Sequence, residues 1–245
     1  MIVVTGGTGT LGRKVVAALL DRGEQVRVLS RRGGAPPGAS GVAVDLREGT
    51  GLAEALSGAR AVVHCASTPT GGDLKAADNL IAAGAPHLVY VSIVGVDRIP
   101  LGYYRTKLAV ERRLESAGVP YTILRAAQFH DLVRGLTRGA ARLPVVPAPA
   151  GIRVQPVDTT EVADRLAELA VGEPAGRVTD LGGPEVHELA DLMRACLRAD
   201  GRRRPVWRVP LAGRIYRAYR AGYNLVPDGD HGRITFEEFL RSQSS

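Results

Sequence analysis

A glycine-rich turn near the start of the chain restricts the fold more than any other feature of the sequence. The segment MIVVT has the composition of a short buried strand, and GGTGTLG follows it directly. Residues 13–23 then place their apolar side chains on one helical face, and residues 24–30 predict a second strand. Strand, glycine turn, helix and strand in this order are typical of a dinucleotide-binding unit.

The three glycines of the turn each have a predicted task. Gly6 permits the tight turn out of the strand, Gly9 lets the backbone approach a pyrophosphate, and Gly12 lets the helix pack closely on the sheet. The N–H groups at the helix N-terminus would then face the anion. We predict that this turn contacts the cofactor through Gly6, Thr8, Gly9, Thr10, Leu11 and Gly12.

The end of the second strand favours NADP(H) over NAD(H). Enzymes that use NAD usually carry an Asp or Glu about 20 residues after the glycine turn, where it holds the ribose hydroxyls. Here Ser30, Arg31 and Arg32 offer a hydroxyl and two guanidinium groups, with no carboxylate. These groups suit the 2′-phosphate of NADP, which accepts charge-assisted hydrogen bonds.

The rest of the chain continues the alternation of strands and helices. Strands are predicted over 41–46, 59–67, 87–95 and 119–129, with helices over 73–84 and 103–118. We therefore expect an α/β fold, a Rossmann-type doubly wound parallel sheet with a small C-terminal substrate lobe. The predicted division is a cofactor domain over 1–150 and a substrate lobe over 151–245. Further cofactor contacts are predicted near strand ends, at Asp45, Leu46, Ala66 and Ser67.

Tyr103 and Lys107 lie four residues apart on one predicted helix, so their side chains face the same side. An ammonium close to a phenol lowers the pKa of that phenol, which then protonates a carbonyl as hydride arrives. We predict Lys107, Tyr103 and Ser92 as catalytic residues, with Lys107 also on the cofactor. Tyr104 is the alternative phenol, because it too lies close to Lys107.

Composition narrows the classes of partner. The net charge is +7, but Lys occurs only at 14, 75 and 107, so the excess of arginine is typical of a GC-rich genome. No zinc ligands or recognition helix accompany the arginines, so we expect no nucleic-acid partner.

The longest apolar run is too short for a bilayer and no N-terminal signal precedes the first strand, so we expect no membrane partner. Two cysteines make no disulfide framework and favour the cytoplasm.

Aromatic side chains are few, at 4% of the chain, so their positions are informative. Tyr216 and Tyr219 share a helical face with Tyr223, which would either stack on a flat substrate or pack the lobe. His130 would either assist proton transfer or serve as a hydrogen-bonded structural residue. The predicted substrate contacts are Tyr104, Phe129, His130, Tyr216 and Tyr219. No histidines or acids are spaced to bind a metal, so none is predicted.

Four segments together resemble the atypical short-chain dehydrogenase/reductase family in its NmrA-like branch. They are TGGTGTLG, the strand that ends near Ser92, YYRTKLAVERRL and VPYTILR. The tail NLVPDGDHGRITFEEFL is similar to actinobacterial relatives of this type. The resemblance implies NADP(H) on Gly6–Gly12 and Arg31, with Lys107 on the nicotinamide ribose. Ser92 lies eleven positions before Tyr103, a spacing that differs from family members with a full catalytic triad.

The resemblance implies an NADPH-dependent reductase of a carbonyl or quinone on an aromatic small molecule, in aromatic polyketide tailoring. Two alternatives stay open, a non-catalytic NADP(H) redox sensor and an epimerase or dehydratase of the same fold. A homodimer is a candidate assembly.

Overall fold

The computed structural model describes residues 1–68 and 71–243. Helices and strands alternate along most of this length. In chain order they are β1 (Ile2–Thr5), α1 (Thr10–Asp21), β2 (Val26–Ser30), β3 (Ser40–Ala43), α2 (Leu52–Leu56), β4 (Ala61–His64), α3 (Asp73–Ala82), β5 (Leu88–Ile93), α4 (Gly102–Ser116), β6 (Tyr121–Ala126), α5 (His130–Ala140), β7 (Val146–Pro149), β8 (Arg153–Val154), α6 (Thr159–Val171), β9 (Gly176–Arg177), β10 (Leu181–Gly182), β11 (His187–Glu188), α7 (Leu189–Ala199), β12 (Val206–Val209), α8 (Arg214–Arg220), β13 (Asp230–His231) and α9 (Phe236–Ser242).

The chain forms two compact units, and neither is continuous in sequence. The predicted division into a cofactor domain (1–150) and a substrate lobe (151–245) is a statement about ligand binding, and it stays a prediction. The first unit comprises Met1–Ser92, Gly102–Arg125 and Val162–Val178, and the second comprises Ile93–Leu101, Ala126–Glu161 and Thr179–Ser245.

A parallel sheet forms the centre of the first unit. Its strands follow the order β6, β5, β4, β1, β2, β3, and β9 pairs with β6. Val4 of β1 pairs with Val28 of β2 on one side and with Val63 of β4 on the other. Both β1 and β4 are buried along their whole length, which is why their sequences are apolar without alternation. The predicted α/β fold with a doubly wound parallel sheet is confirmed.

Helices α3 and α4 share one hydrophobic cluster with the strands. Leu80 of α3 and Val110 and Leu114 of α4 pack there with Tyr90 of β5. This packing fixes the face of α4 that carries Lys107, because Val110 and Leu114 lie three and seven residues further along the same helix.

The structure differs from the prediction at several boundaries and adds one helix. Helix α1 begins at Thr10, where residue 13 was predicted, so Gly12 belongs to its first turn. Strand β3 ends at Ala43, so Asp45 and Leu46 lie beyond the strand. Helix α2 was not predicted, because a helix of only five residues is too short to show a period.

Among the described residues, the second unit contains short strands and the helices α5, α7, α8 and α9. Their apolar side chains form two small hydrophobic clusters. Strands β7 and β12 pair in parallel, β8 and β11 pair antiparallel, and β10 pairs in parallel with β13. Helix α9 begins with the capping box predicted for Thr235 and Glu238, which is confirmed. No helix in the described ranges has the length and apolarity needed to cross a bilayer.

A buried ion pair joins α4 to β6 within the first unit. Arg125 donates to Glu111 from Nε at 2.9 Å and from Nη2 at 2.6 Å. Both side chains are nearly inaccessible, at 6% and 1% exposed. Such a bidentate pair costs desolvation energy when it forms, yet losing one partner leaves a buried charge without compensation.

We therefore expect Arg125→Met to lower the free energy of unfolding by about 3–5 kcal/mol, measured by urea denaturation. The matched control is Arg113→Met. Arg113 makes a 2.6 Å pair with Asp78 between α4 and α3, but both side chains are 39% exposed. That substitution should cost less than about 1 kcal/mol. The double variant Glu111→Leu/Arg125→Met should recover much of the loss, and equal losses in all three variants would contradict the argument.

Candidate functional site

The glycine turn packs directly against the end of β4. Gly6 has φ of +68°, and a Cβ there would lie 2.7 Å from the backbone nitrogen of Ala66. A Cβ on Gly12 would lie 2.1 Å from the carbonyl oxygen of Gly6. A Cβ on Gly9 meets only that same oxygen, at 3.3 Å. Gly6 and Gly12 are therefore required by close packing, whereas the side of Gly9 is open to a ligand.

The N-terminus of α1 presents its first-turn N–H groups without a competing side chain. Gly9 is the N-cap residue, so no side chain caps the helix, and the first turn contains no acidic residue. Thr8, Gly9 and Thr10 are exposed, whereas the side chain of Leu11 is buried and leaves only its backbone to meet a ligand. This arrangement suits an anion such as a pyrophosphate.

The turn after β2 carries the two predicted phosphate-binding arginines. Ser30 Oγ donates to the carbonyl oxygen of Gly34 at 2.9 Å, which shapes the turn. Arg31 and Arg32 are exposed, and within residues 1–68 and 71–243 neither has a hydrogen-bond or ion-pair partner. Two uncompensated guanidinium groups beside a nucleotide cradle fit a ribose phosphate.

The other predicted cofactor residues lie at strand ends of the same unit. Asp45 Oδ1 accepts from the backbone N–H of Arg47 at 2.8 Å, so one of its oxygens is already used by its own turn. Leu46 packs against the core cluster. Ala66 donates its N–H to Thr5 Oγ1 at 3.3 Å, and this contact holds the segment after β4 beside β1.

Tyr103 ends a chain of hydrogen bonds that the sequence did not predict. Ser67 Oγ donates to Asp73 Oδ2, and Tyr103 Oη lies 2.8 Å from the same Ser67 Oγ. Because the serine hydroxyl has one proton and gives it to the carboxylate, the phenol must donate to Ser67. Asp73 is buried and also accepts from the backbone N–H of Thr68 at 3.0 Å. The phenol is thus oriented by Ser67 and Asp73.

Lys107 does not pair with the phenol as predicted. Its Nζ donates to the carbonyl oxygen of Val91 at 3.1 Å, 4.7 Å from the ring centroid of Tyr90. The ring centroid of Tyr103 is farther, at 5.9 Å. Burial raises the pKa of Tyr103, and the hydrogen bond with Ser67 opposes this only in part. The predicted lowering of the phenol pKa by Lys107 is therefore wrong, because burial raises that pKa.

The ammonium of Lys107 is itself strongly perturbed. The side chain is almost fully buried, and burial lowers the pKa of Lys107 to about 8, although Asp73, Cys65 and Glu111 favour its charged form. A lysine with this pKa changes charge close to physiological pH.

Three buried polar atoms near the carboxyl ends of β4 and β5 have no hydrogen-bond partner among the described residues. They are Ser92 Oγ, Tyr90 Oη and His64 Nε2. His64 Nδ1 lies 2.7 Å from Thr5 Oγ1, and burial lowers the pKa of His64 to about 4, so the imidazole is neutral. Buried polar atoms normally have partners, so these atoms mark where water or a ligand group would bind. Sequence patterns did not point to His64, Tyr90 or Asp73, because each matters only through contacts between elements.

Tyr104 is buried, whereas Tyr103 hydrogen-bonds to Ser67, so Tyr103 is the better placed of the two phenols.

The other predicted substrate residues belong to the second unit. His130 is fully buried, where its Nε2 lies 3.1 Å from the carbonyl oxygen of Ile234 and its ring contacts Phe236 and Phe239. This environment is that of a structural histidine.

The tyrosines of the second unit also have structural contacts. Tyr216 donates to the carbonyl oxygen of Ala150, and Tyr216 and Tyr219 both pack against the unit's hydrophobic cluster. Tyr223 lies beyond the end of α8, with the Arg98 guanidinium 3.5 Å from its ring centroid. Phe129 forms a bridge with Val157. Their roles in substrate binding stay predictions. No group of His, Cys, Asp and Glu in the part of the chain that the structure describes could hold a metal ion.

Comparison with known proteins matches a family over a stretch that includes the glycine turn. Residues 6–135 match the family described as NAD(P)H-binding. The chain is 30% identical to the photosystem II assembly factor Ycf39 of Cyanophora paradoxa, over 86% of this chain and 72% of that protein.

Two further proteins are similar. A (4-alkanoyl-5-oxo-2,5-dihydrofuran-3-yl)methyl phosphate reductase of Streptomyces griseus is 33% identical, over 76% of this chain and 68% of that protein. The crystal structure of the Escherichia coli NADPH-dependent quinone oxidoreductase QOR2 in complex with NADPH superposes with a TM-score of 0.82 and 20% identity. That match covers the whole of both chains.

The perturbed lysine generates a stability prediction for the protein without cofactor. The pKa of Lys107 is about 8 in the folded state, against 10.5 for an ordinary lysine. Between these two values the unfolded chain binds more protons than the folded one, so stability rises with pH there. Relative to Lys107→Met, the wild type should gain about 3 kcal/mol of unfolding free energy as pH rises through this window.

Urea denaturation at several pH values measures this difference, and subtracting the Lys107→Met curve removes the titration of all other groups. Lys75→Met is the matched control, because Lys75 lies on the exposed side of α3 and should leave the pH profile unchanged. Parallel curves for the wild type and Lys107→Met would contradict the assignment.

Proposed function

The chain belongs to the NAD(P)H-binding family, and on that basis we propose that it is an NADPH-dependent reductase of a quinone or carbonyl on an aromatic small molecule. The observation that carries the proposal is a continuous set of contacts within the first unit. Gly6 packs on Ala66, the next residue is Ser67, and Ser67 binds the phenol of Tyr103. The proton donor Tyr103 is therefore connected to the glycine turn through Ser67 and Ala66.

The choice of NADPH rests on Arg31 and Arg32. Both guanidinium groups stand after β2 without partners among the described residues, and no carboxylate accompanies them. Two adjacent guanidinium groups bind a phosphate dianion more strongly than a ribose hydroxyl. The QOR2 structure with bound NADPH supports the same choice.

Each residue of the site has a distinct proposed role. When bound, the reduced nicotinamide supplies a hydride to the acceptor. Lys107 would hold the nicotinamide ribose with its ammonium. Ser92, whose hydroxyl has no partner among the described residues, would meet the acceptor oxygen. Tyr103 donates the proton, and Ser67 and Asp73 orient its O–H group. Burial keeps Tyr103 protonated at neutral pH, which a general acid requires.

The two classes of acceptor make different demands on Tyr103. A ketone that accepts hydride becomes an alkoxide, which needs a proton at once. A quinone becomes an aromatic phenolate, which is stable without immediate protonation. The QOR2 likeness favours quinones, and the Streptomyces griseus reductase favours an oxidised oxygen heterocycle. A place in aromatic polyketide tailoring stays a prediction.

A second candidate is a cofactor-binding protein that does not turn over. The Ycf39 relative, a photosystem II assembly factor, supports it. So does one feature of the site, because the Tyr103 proton is already donated to Ser67. This candidate expects tight NADPH binding and no loss of NADPH absorbance with any acceptor. An epimerase or dehydratase stays a third hypothesis.

Removal of the phenol should separate the acceptors. With wild-type protein, NADPH absorbance should fall in the presence of quinones or polycyclic ketones. Tyr103→Phe should then slow ketone reduction by about 100-fold or more, because proton transfer is lost, and should barely affect quinone reduction. Tyr104→Phe is the matched control and should leave both rates unchanged.

Ser67→Ala tests the orientation of the phenol. It keeps Tyr103 but removes the hydroxyl that both positions the phenol and competes for its proton. Because these two effects oppose each other, ketone reduction should fall less than in Tyr103→Phe. Absence of turnover with every acceptor, with NADPH still bound, would favour the non-catalytic candidate.

The arginine pair should control cofactor choice. Arg31→Ala/Arg32→Ala should raise the Kd for NADPH by about 100-fold, because two charge-assisted hydrogen bonds are lost, and should leave the Kd for NADH unchanged. Calorimetric titration measures both constants. Arg112→Ala, an exposed arginine of α4, serves as the control. Equal weakening of NADPH and NADH would contradict a 2′-phosphate contact.

A further inference from the structure

The net charge of the chain is concentrated in one stretch of the second unit. Residues 201–227, called here the arginine segment, contain seven arginines and no Asp or Glu. Since the whole chain has 32 Lys and Arg against 25 Asp and Glu, the remaining residues hold 25 of each sign. All of the excess positive charge therefore lies in this segment.

Codon bias does not account for this distribution. A GC-rich genome replaces lysine by arginine, but it does not remove acidic residues from a selected stretch. The other 218 residues hold 22 arginines and all three lysines, and their 25 acidic residues balance this charge. A stretch with no acidic residue of its own leaves most of its positive charge available to attract anions, although Arg208 pairs with Glu188.

Strand β12 forms the first part of the segment and exposes its tryptophan. The strand pairs with β7, and Val206 packs with the cluster that contains Val146. Arg208 points the same way along the pleat and pairs with Glu188 at 2.7 Å. Trp207 points to the opposite side and is 66% exposed. Leu211 and Ile215 follow at 49% and 40% exposed.

Helix α8 forms the second part and is attached to the unit through one face. Ala218 is buried, and Tyr216 and Tyr219 pack against the hydrophobic cluster. Arg214, Arg217 and Arg220 repeat every three residues, so they share the opposite, outward face. The helix contains no acidic residue to pair with them.

Several of these guanidinium groups are uncommitted. Arg203, Arg204, Arg214 and Arg217 are exposed, and within the described ranges none has a hydrogen-bond or ion-pair partner. Arg203 and Arg204 are adjacent in sequence, and Arg214 and Arg217 lie one turn apart on α8, so the like charges within each pair repel one another and a bound anionic surface would relieve this repulsion.

We propose that the arginine segment is a docking surface for an anionic lipid bilayer. Guanidinium groups bind lipid phosphates, while the exposed indole and the two aliphatic side chains enter the interface between headgroups and acyl chains. The exposed apolar residues favour a bilayer over nucleic acid, which offers phosphates but no apolar layer. The expectation of no membrane partner rested on the absence of a spanning segment, and peripheral docking needs none.

Trp207 makes the test direct, because it is the single tryptophan of the chain. Its emission is recorded as the wild-type protein is titrated with vesicles of phosphatidylcholine, with or without phosphatidylglycerol. Anionic vesicles should shift the emission to shorter wavelength, and lipids that carry a quencher in the acyl chain should quench it. Neutral vesicles should do neither, and high salt should reverse the binding.

Variants then test the charges. Arg203→Gln/Arg204→Gln/Arg214→Gln/Arg217→Gln should lower the vesicle partition coefficient by about 100-fold or more, at about fivefold for each charge removed. The control is Arg112→Gln/Arg142→Gln/Arg198→Gln/Arg241→Gln, which removes four exposed arginines outside the segment and the same net charge. It should lower the partition coefficient far less. Circular dichroism verifies that both variants are folded.

Four results would overturn the proposal: no binding to anionic vesicles, equal binding to neutral ones, equal losses in both variants, or preferential binding to duplex DNA that prevents vesicle binding. None of these results depends on turnover, so the proposal stands or fails separately from the reductase activity.

Discussion

The close approach of the glycine turn to the end of β4 is the constraint on which the site depends. The absence of a Cβ on Gly6 lets the turn rest on the backbone of Ala66. The absence of a Cβ on Gly12 likewise lets the first turn of α1 pack against Gly6. The backbone N–H of Ala66 also donates to Thr5 Oγ1. Together these contacts bring the helix N-terminus and the segment that holds Ser67 to the same edge of the sheet, where parallel sheets bind ligands.

The electrostatics of that edge are dominated by one buried lysine. Lys107 enters the core with its charge opposed by burial, and among the described residues its ammonium makes one hydrogen bond, to Val91. The energy for this placement comes from packing elsewhere on α4, from Val110 and Leu114 and from the buried pair of Glu111 and Arg125. A lysine held at this cost to stability is typical of a group retained for binding or catalysis. Its low pKa also makes the ammonium sensitive to any anion that binds nearby.

Local patterns were sufficient for the fold and for the cofactor turn. Alternating apolar strands and amphipathic helices gave the doubly wound sheet, and the spacing of Gly6, Gly9 and Gly12 gave the turn. Partners across the tertiary structure were not predictable. Tyr103 was expected beside Lys107 because they share a helix, yet it binds Ser67 from another strand end and through it Asp73. The charge of the arginine segment was readable from sequence, but only the structure shows that Trp207 and the arginines face outward.

The Ser67 hydrogen bond gives the two leading functions a common physical basis. The phenol proton is directed at Ser67, and burial holds the pKa of Tyr103 high. An acceptor oxygen near Ser92 would have to compete with Ser67 for that proton. A ketone developing an alkoxide is a stronger base than a serine hydroxyl and would win this competition, whereas a neutral ligand would not. The same arrangement therefore serves a reductase when a suitable acceptor binds and a silent cofactor-binding protein when none does, so the acceptor decides between them.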